Sequence, residues 1–187
     1  MSVLTLDIVR QEYHIKGLSD RQIAEKYGVV RTAVTKFRSY HDIKSRAHSG
    51  DAGESLVKSK LENLGFQVDD MNKLQGKTHP YDLLVNKNIR VEVKTAKFLD
   101  NKWTFVLTNK HESGMVESAF NIRLPNGRIK KDLSLSSDIV ILCALIGQEA
   151  MFFVMPSTAI PKDQQTLSVT ANGKWAIWRD RWELIIK

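Results

Sequence analysis

Two acidic residues and a lysine lie on two short segments that are otherwise apolar. Asp82 opens the segment 82–85, and Glu92 and Lys94 alternate with valines in the segment 89–96. Residues two apart on a β-strand share a face, so Glu92 and Lys94 do, and Asp82 joins them if the segments pair as a hairpin. Clustered carboxylates repel one another unless a cation separates them, and Mg²⁺ binds carboxylate and phosphate oxygens. The pattern therefore predicts a metal site beside a lysine that can orient or deprotonate a water.

These residues form a motif that resembles the PD-(D/E)xK nuclease superfamily, which holds many restriction enzymes, junction resolvases and some homing endonucleases. The chain departs from the family pattern at Tyr81, which separates the proline from the aspartate. The resemblance extends upstream to Glu54, at the start of a helical pattern, and downstream to 138–156, which is similar to the last two strands of that core. It covers roughly residues 50–187. The matching motif residues are Pro80, Asp82, Glu92, Val93 and Lys94.

The resemblance implies a catalytic set of four side chains and a bound metal ion. Mg²⁺, for which Mn²⁺ can substitute, would be held by Asp82, Glu92 and the backbone carbonyl of Val93. Glu54 would ligate the ion directly or through a water. Lys94 would orient the attacking water and stabilise the growing negative charge during hydrolysis of a DNA phosphodiester. Outside the motif, Lys97 and Lys110 are candidates for phosphate contacts, and His111 is a candidate for a second-sphere role.

A second interpretation of the motif involves no metal. Glu92 and Lys94 can be an exposed pair on one face of an antiparallel strand, which they would stabilise slightly. Asp82 can cap a turn, and Lys94 can lay its alkyl stem along apolar surface with its charge in water. The flanking valines predict strands that are buried on at least one face, where an uncompensated acid is costly. This burial favours the metal site.

The first fifty residues have the pattern of a separate helical module. Apolar residues in the segment 5–16 have near-helical spacing, and a second helix is predicted from Ser19, which forms a capping box with Gln22. Gly28 permits a tight turn before a third helix whose apolar positions extend to Tyr40. Helix, helix, glycine-containing turn and helix is the helix-turn-helix pattern, and the segment 18–29 closely resembles that family.

The third helix of this module carries the candidates for DNA contact. Arginine and lysine can reach guanine edges or phosphates, and threonine methyl groups can contact thymine. Residues 1–48 contain nine basic and five acidic side chains, so +4 of the net charge of +7 lies there. A three-helix bundle that docks on the rest of the chain or on another protein is the alternative. The predicted DNA-binding residues are Arg31, Thr32, Thr35, Lys36 and Arg38.

The remaining pattern predicts an α+β or α/β architecture in two domains. A three-helix module (1–46) precedes a mixed-sheet PD-(D/E)xK nuclease core (47–187) flanked by helices. The polar stretch 41–51 is a linker, which either follows a phosphate backbone with its basic residues or is a solvated connector. The core segments are a helix at 52–64, strands at 66–68, around Asp82, around Glu92, at 103–107, 139–146, 150–155 and 167–170, and a final amphipathic helix carrying Trp175, Trp178 and Trp182 as core residues.

The net charge, the cysteine content and the absence of several motifs restrict the classes of function that the chain can have. The net charge of +7 favours a polyanionic partner, here double-stranded DNA. A single cysteine fits a reducing cytoplasm, in a bacterial or viral context. The apolar run 139–146 is far shorter than the ~20 residues of a membrane helix, and the N-terminus lacks the pattern of a secretory signal. The chain has no glycine-rich phosphate loop, no zinc-binding Cys/His spacing and no Gly-x-Ser-x-Gly elbow.

The predicted function is a Mg²⁺-dependent DNA endonuclease, restriction-like or homing-like, that its helix-turn-helix targets. Two alternatives stay open at this point. One is a Holliday-junction or other structure-specific resolvase, and the other is a DNA-binding regulator with an inactive nuclease-like core. Symmetric cleavage of both strands would call for two active sites and hence for a homodimer.

Overall fold

Two compact units make up the chain, Met1–Ala47 and His48–Lys187. The computed structural model describes residues 3–43, 49–76, 79–109, 118–147 and 149–185. Within these ranges, none of the helices combines the length and the apolar character that a membrane span requires. The predicted positions outside the described residues are the linker residues Lys44, Arg46 and His48, the phosphate-contact candidate Lys110 and the second-sphere candidate His111.

In its described part, the first unit consists of helices around a small apolar core. The helical elements are α1 (Leu6–Arg10), a π-helical turn (Gln11–Ile15), α2 (Asp20–Tyr27) and α3 (Arg31–Tyr40). Residues from all of them close the core, because no single short helix can bury its apolar face alone. The buried core side chains are Leu4, Val9, Tyr13, Ile23, Ala24, Val34 and Ile43.

The ends of α2 follow the predicted local chemistry. Gln22 N donates to Ser19 Oγ at 3.3 Å, and Ser19 N donates to Gln22 Oε1 at 2.9 Å, so the predicted capping box is confirmed. Gly28 ends the helix with φ at 64°, a left-handed conformation that favours glycine. Helix α3 then begins at Arg31, directly after this turn.

Two side chains that the spacing assigns to the apolar face are exposed. Ile15 is 81% exposed, because a π-helical turn holds more residues than an α-helical one and rotates it away from the core. Tyr40 is 86% exposed. It lies six residues after the buried Val34, which is about 240° around the helix, and Arg38 takes the inward position instead.

The second unit contains a seven-stranded sheet, a separate three-stranded sheet and helices. Together they confirm the predicted α+β fold class. The bounds are α4 (Ser49–Asn63), β1 (Val68–Asp70), α5 (Met71–Gln75), β2 (Leu83–Val85), β3 (Ile89–Leu99), β4 (Lys102–Val106), β5 (Thr108–Asn109), β6 (Asn121–Arg123), β7 (Ile129–Lys131), α6 (Leu133–Ser136), β8 (Ile139–Ile146), β9 (Glu149–Pro156) and β10 (Thr166–Val169).

Strand β3 is the centre of the larger sheet. It pairs antiparallel with β2 on one side and parallel with β8 on the other, and its last two residues pair with β4. Strand β1 pairs with β2, β9 with β8 and β10 with β4, all antiparallel. In the three-stranded sheet, β7 lies between β5 and β6. The strand that carries the motif is therefore held by neighbours on both sides.

Alternate side chains of β3 face different sides of the sheet. Val91 and Val93 belong to an apolar cluster with Val57 and Leu61 of α4. Ala96 belongs to the other cluster, which β4, β8, β9 and β10 share. Because side chains alternate along a strand, Glu92 and Lys94 project on the side of Ala96, away from the apolar contact with α4.

The C-terminal tryptophans do not form the predicted amphipathic helix. Two 3₁₀ turns, Lys174–Trp178 and Trp182–Ile185, take its place, and Arg179 between them bridges to Phe153 of β9. A 3₁₀ turn also brings residues three apart to one side, so its tryptophan spacing mimics that of a helix. Trp175 packs in the core, as its predicted role required.

The first strand of the core lies two residues later than predicted. Phe66 N donates to Leu61 O at 3.1 Å, across Gly65 with φ at 89°. Because this bond closes the end of α4, Phe66 is held at the helix end, and β1 begins only at Val68.

Candidate active site

The β2–β3 hairpin places Asp82 against the backbone of the motif strand. Leu83 and Val91 are partners in the register, and Asp82 N donates to Val91 O at 3.0 Å. Val93 N donates to Asp82 Oδ2 at 2.7 Å. The carboxylate of Asp82 is thus fixed next to the residue that separates Glu92 from Lys94.

Glu92 is a buried carboxylate held by two lysines. Its side chain is 2% exposed, with Lys94 Nζ 2.6 Å from Oε1 and Lys131 Nζ 2.7 Å from Oε2. Burial alone would raise the pKa of Glu92, but the charges of Lys94 and Lys131 outweigh it and lower that pKa. Burial opposes the charge of Lys94 in the same way, and Glu92, Asp82 and Glu54 raise the pKa of Lys94 above its ordinary value.

Glu54 and Asp82 share one amide group. Asn72 Nδ2, on α5, donates to Glu54 Oε2 at 3.0 Å and to Asp82 Oδ1 at 3.1 Å. Gly53 allows α4 to approach β3 at this point, since a Cβ atom on it would lie 1.9 Å from Thr95 Oγ1. The early helix therefore delivers its acid to the site because the preceding residue has no side chain.

Burial and two neighbouring acids raise the pKa of Asp82. Burial is the largest cause, the charge of Glu92 adds to it, and Glu54 contributes further, so the pKa rises from 3.8 to about 6. The hydrogen bond from Val93 N and the charge of Lys94 oppose the rise. The folded protein therefore disfavours the charged form of Asp82.

The donor chemistry of these residues fits a hard divalent cation. Carboxylate oxygens of Glu54, Asp82 and Glu92 are the ligands that Mg²⁺ takes, and their repulsion is what a cation relieves. In the described residues, no three His, Cys, Asp or Glu side chains are already arranged around one metal position. Nitrogen donors of Asn72, Lys94 and Lys131 instead occupy oxygens of these carboxylates. Metal binding would require some of these donors to move.

The structure brings the four predicted catalytic side chains into one cluster. Glu54, Asp82, Glu92 and Lys94 are linked through the contacts above. Val93, predicted to offer its carbonyl, joins the cluster through its N–H. Lys97 is exposed, and it lies three residues beyond Lys94, so it projects from the other face of β3.

Two residues of the cluster were not predicted from sequence. Asn72 lies between the predicted strands at 66–68 and around Asp82, where no helix was predicted, although Asp70 caps a short helix there by accepting a hydrogen bond from Lys73 N at 3.1 Å. Asp70 before the helix and Gly76 after it were the available signals. Lys131 lies 37 positions beyond Lys94 and has no local motif, so only the fold reveals its contact with Glu92.

Four of the five predicted DNA-contact residues on α3 are exposed. The fifth, Arg38, is buried, which corrects its prediction as a DNA contact. The exposed ones are Arg31, Thr32, Thr35 and Lys36. Arg38 is 8% exposed, because its guanidinium donates to both carboxylate oxygens of Asp20, at 2.7 and 2.9 Å, and to Ile43 O at 3.2 Å. It also lies over the Tyr13 ring, 4.1 Å from the centroid. Arg38 therefore joins the elements of the first unit and has no free edge for a base.

Comparison with known proteins gives a match in fold. No protein-family model matches the chain, and no curated protein sequence matches it. Among solved structures, a bacterial homing endonuclease, I-Ssp6803I, is similar with a TM-score of 0.55 and 13% sequence identity, over 74% of this chain and 90% of that chain. This similarity supports the fold of the chain. The assignment of the site residues depends on the distances and contacts described above.

Proposed function

We propose that this protein is a metal-dependent DNA endonuclease of the PD-(D/E)xK kind. The observation that carries the proposal is the convergence of Asp82, Glu92 and Lys94 with Glu54 from another element. The fold that the chain shares with a homing endonuclease supports it. A restriction-like or homing-like enzyme fits better than a resolvase, because a separate basic helical unit gives site preference, whereas a resolvase recognises branch shape.

The proposed chemistry is hydrolysis of a phosphodiester. Mg²⁺, or Mn²⁺ in its place, would be held by Asp82, Glu92 and Glu54 with the Val93 carbonyl, and when bound it supplies a Lewis acid and a more acidic water. The ammonium group of Lys94 lies next to Glu92, where it can donate to a water and to an oxygen that gains negative charge. Val93 N and Asn72 hold the two oxygens of Asp82 and fix its orientation.

A cleavage assay on two substrates tests the proposal. A plasmid and a four-way junction are each incubated with protein and Mg²⁺, and product ends are sequenced. Discrete plasmid fragments are the expected result. Cleavage of the junction alone would identify a resolvase, and cleavage of neither would identify a regulator with an inactive core. Fragments cut in both strands, with a dimer on gel filtration, would support a homodimer with two sites.

Single alanine variants assign the chemistry to the site. Asp82→Ala, Glu92→Ala and Lys94→Ala are each expected to abolish cleavage while leaving DNA binding, measured by gel shift, largely intact. The reason is that these side chains act on the scissile phosphate, and contacts elsewhere on the chain supply most of the affinity. Wild-type cleavage by any of the three would show that the site is misassigned.

The first unit is proposed to be the helix-turn-helix that targets the enzyme. Arg31→Ala and Lys36→Ala are expected to weaken DNA binding, each lowering the slope of log affinity against log salt by about 1 if it contacts a phosphate. Arg38→Met is the contrasting variant. It should lower the melting temperature instead, because it leaves Asp20 without its buried partner.

Removing residues 1–45 should reduce the affinity for DNA more than the rate of the chemical step. Unchanged affinity of the truncated protein would argue that the first unit is a bundle that docks on protein.

A further inference from the structure

Lys131 gives Glu92 a second ammonium partner from outside the motif. Its Nζ is 2.7 Å from Glu92 Oε2, and Lys94 Nζ is 2.6 Å from Oε1, so each oxygen of this buried carboxylate carries one lysine. Resting on the proposed nuclease function, we propose that Lys131 is a positioning residue of the cleavage site. It holds Glu92 Oε2 in the metal-free protein and releases that oxygen to a divalent cation.

The fold fixes the strand that presents Lys131. Strand β7 is the middle strand of the three-stranded sheet, with Lys130 paired to Thr108 and Ile122, and Lys131 paired to Asn121. Neighbouring residues on a strand point to opposite faces. Lys130 is 2% exposed, and its Nζ donates to the carbonyl oxygens of Pro161 and Lys162, at 2.9 and 2.8 Å. This anchor turns the next side chain, Lys131, toward Glu92.

Lys131 can leave Glu92 more readily than Glu92 can move. The side chain of Lys131 is 28% exposed, so its ammonium group can turn to water or to a substrate phosphate. The carboxylate of Glu92 is 2% exposed and cannot remain charged without a positive neighbour. A divalent cation at Oε2 would repel the ammonium group there, because two positive charges at contact distance are unfavourable even in a polar protein environment. The cation and Lys131 therefore exclude each other.

The test is a Mn²⁺ titration of the full chain without DNA, by calorimetry or by electron paramagnetic resonance of free Mn²⁺. Lys131→Met removes the competing charge and should bind Mn²⁺ about tenfold more tightly than the wild type. Lys131→Gln, which keeps a donor to Glu92 but no charge, should shift in the same direction and serves if the methionine variant does not fold. Lys131→Arg keeps the charge and should stay within about twofold of the wild type.

Lys73→Met is the matched control for loss of a positive charge elsewhere. Lys73 follows Asn72, is 77% exposed and pairs with Asp70 at 3.1 Å, so its removal should leave Mn²⁺ affinity within about twofold. Affinity that is equal or weaker in both neutral Lys131 variants would overturn the inference. A tenfold gain in Lys73→Met as well would also overturn it, because general charge would then explain the effect.

Asp82→Ala separates failure of this inference from failure of the proposed function. If Asp82→Ala loses Mn²⁺ binding and the neutral Lys131 variants match the wild type, only the role of Lys131 is wrong. If Asp82→Ala binds Mn²⁺ as the wild type does, the cluster is not the metal site, and both proposals fall. Loss of binding in Asp82→Ala with a gain in Lys131→Met supports both.

Discussion

Replacing Asp82 with asparagine is expected to stabilise the folded protein at neutral pH and to slow DNA cleavage by about a thousandfold or more. Burial and the charge of Glu92 raise the pKa of Asp82 from 3.8 to about 6. A charged Asp82 at pH 7 therefore destabilises the fold, by at most about 3 kcal/mol. Asparagine removes the charge and can still accept the hydrogen bond from Val93 N. It also loses the oxygen that accepts from Asn72, so the expected net increase in the free energy of unfolding is about 1 kcal/mol.

The effect of Asp82 on stability depends on pH in a predictable direction. The folded state binds the proton of Asp82 more tightly than the unfolded state, so the contribution of Asp82 to stability falls as pH rises from about 4 to about 6. Asp82→Asn lacks the group, and its advantage over the wild type should grow across that window and be greatest above it. Urea unfolding at several pH values, without divalent cations, measures the difference.

Asp138→Asn is the matched control for the loss of a carboxylate. Asp138 accepts hydrogen bonds from Arg90, whose Nη2 lies 2.9 Å from Oδ1, so its neutralisation should not stabilise the protein at pH 7. The account of Asp82 is wrong if Asp82→Asn is less stable than the wild type at pH 7, or if its advantage is the same at pH 4 and pH 7. Unimpaired cleavage by that variant would remove Asp82 from the chemistry.

The core of the site was predictable because its residues are close in sequence or stand next to strong local signals. Asp82, Glu92 and Lys94 lie on one hairpin, whose alternation of apolar and polar residues fixes the shared face. Glu54 was predictable only through the family resemblance, because its approach depends on how α4 packs. The helix-capping residues Ser19 and Gln22 were predictable because both bonds lie within four residues.

The remaining contacts depend on tertiary packing that local pattern does not encode. Arg38 is of a residue type that often contacts DNA, yet its guanidinium is buried in an ion pair with Asp20 of another helix. Lys131 reaches Glu92 from the three-stranded sheet, whose strands are not among the predicted segments, and Asn72 bridges two acids from separate elements. In each case the partner lies ten or more residues away along the chain. The deciding energy is the cost of a buried charge or polar group without a partner.

Replacing Gly53 with alanine is expected to lower the free energy of unfolding by about 1–3 kcal/mol, the typical cost of overpacking. It should also reduce cleavage at least tenfold. The new Cβ would lie 1.9 Å from Thr95 Oγ1 and 2.8 Å from its Cγ2, so α4 must move away from β3. Glu54 is the next residue of α4, and the shift would draw it away from Asn72 and Asp82. Helix propensity alone predicts the opposite sign, a gain of up to about 1 kcal/mol.

Two further variants decide between close packing and propensity. Gly50→Ala lies in the same helix, and among the described residues no atom other than its chain neighbours and its own helix backbone lies within 4 Å of the new Cβ, so it should cost no stability and leave cleavage unchanged. Thr95→Ala removes the two nearest atoms and leaves Thr95 Cβ at 2.9 Å, so it should restore part of the stability and activity of Gly53→Ala. Alone, Thr95→Ala should cost little, because Thr95 Oγ1 is buried without a hydrogen-bond partner in the described structure. Purely additive effects of Gly53→Ala and Thr95→Ala in urea unfolding would mean that their contact does not hold α4 in place.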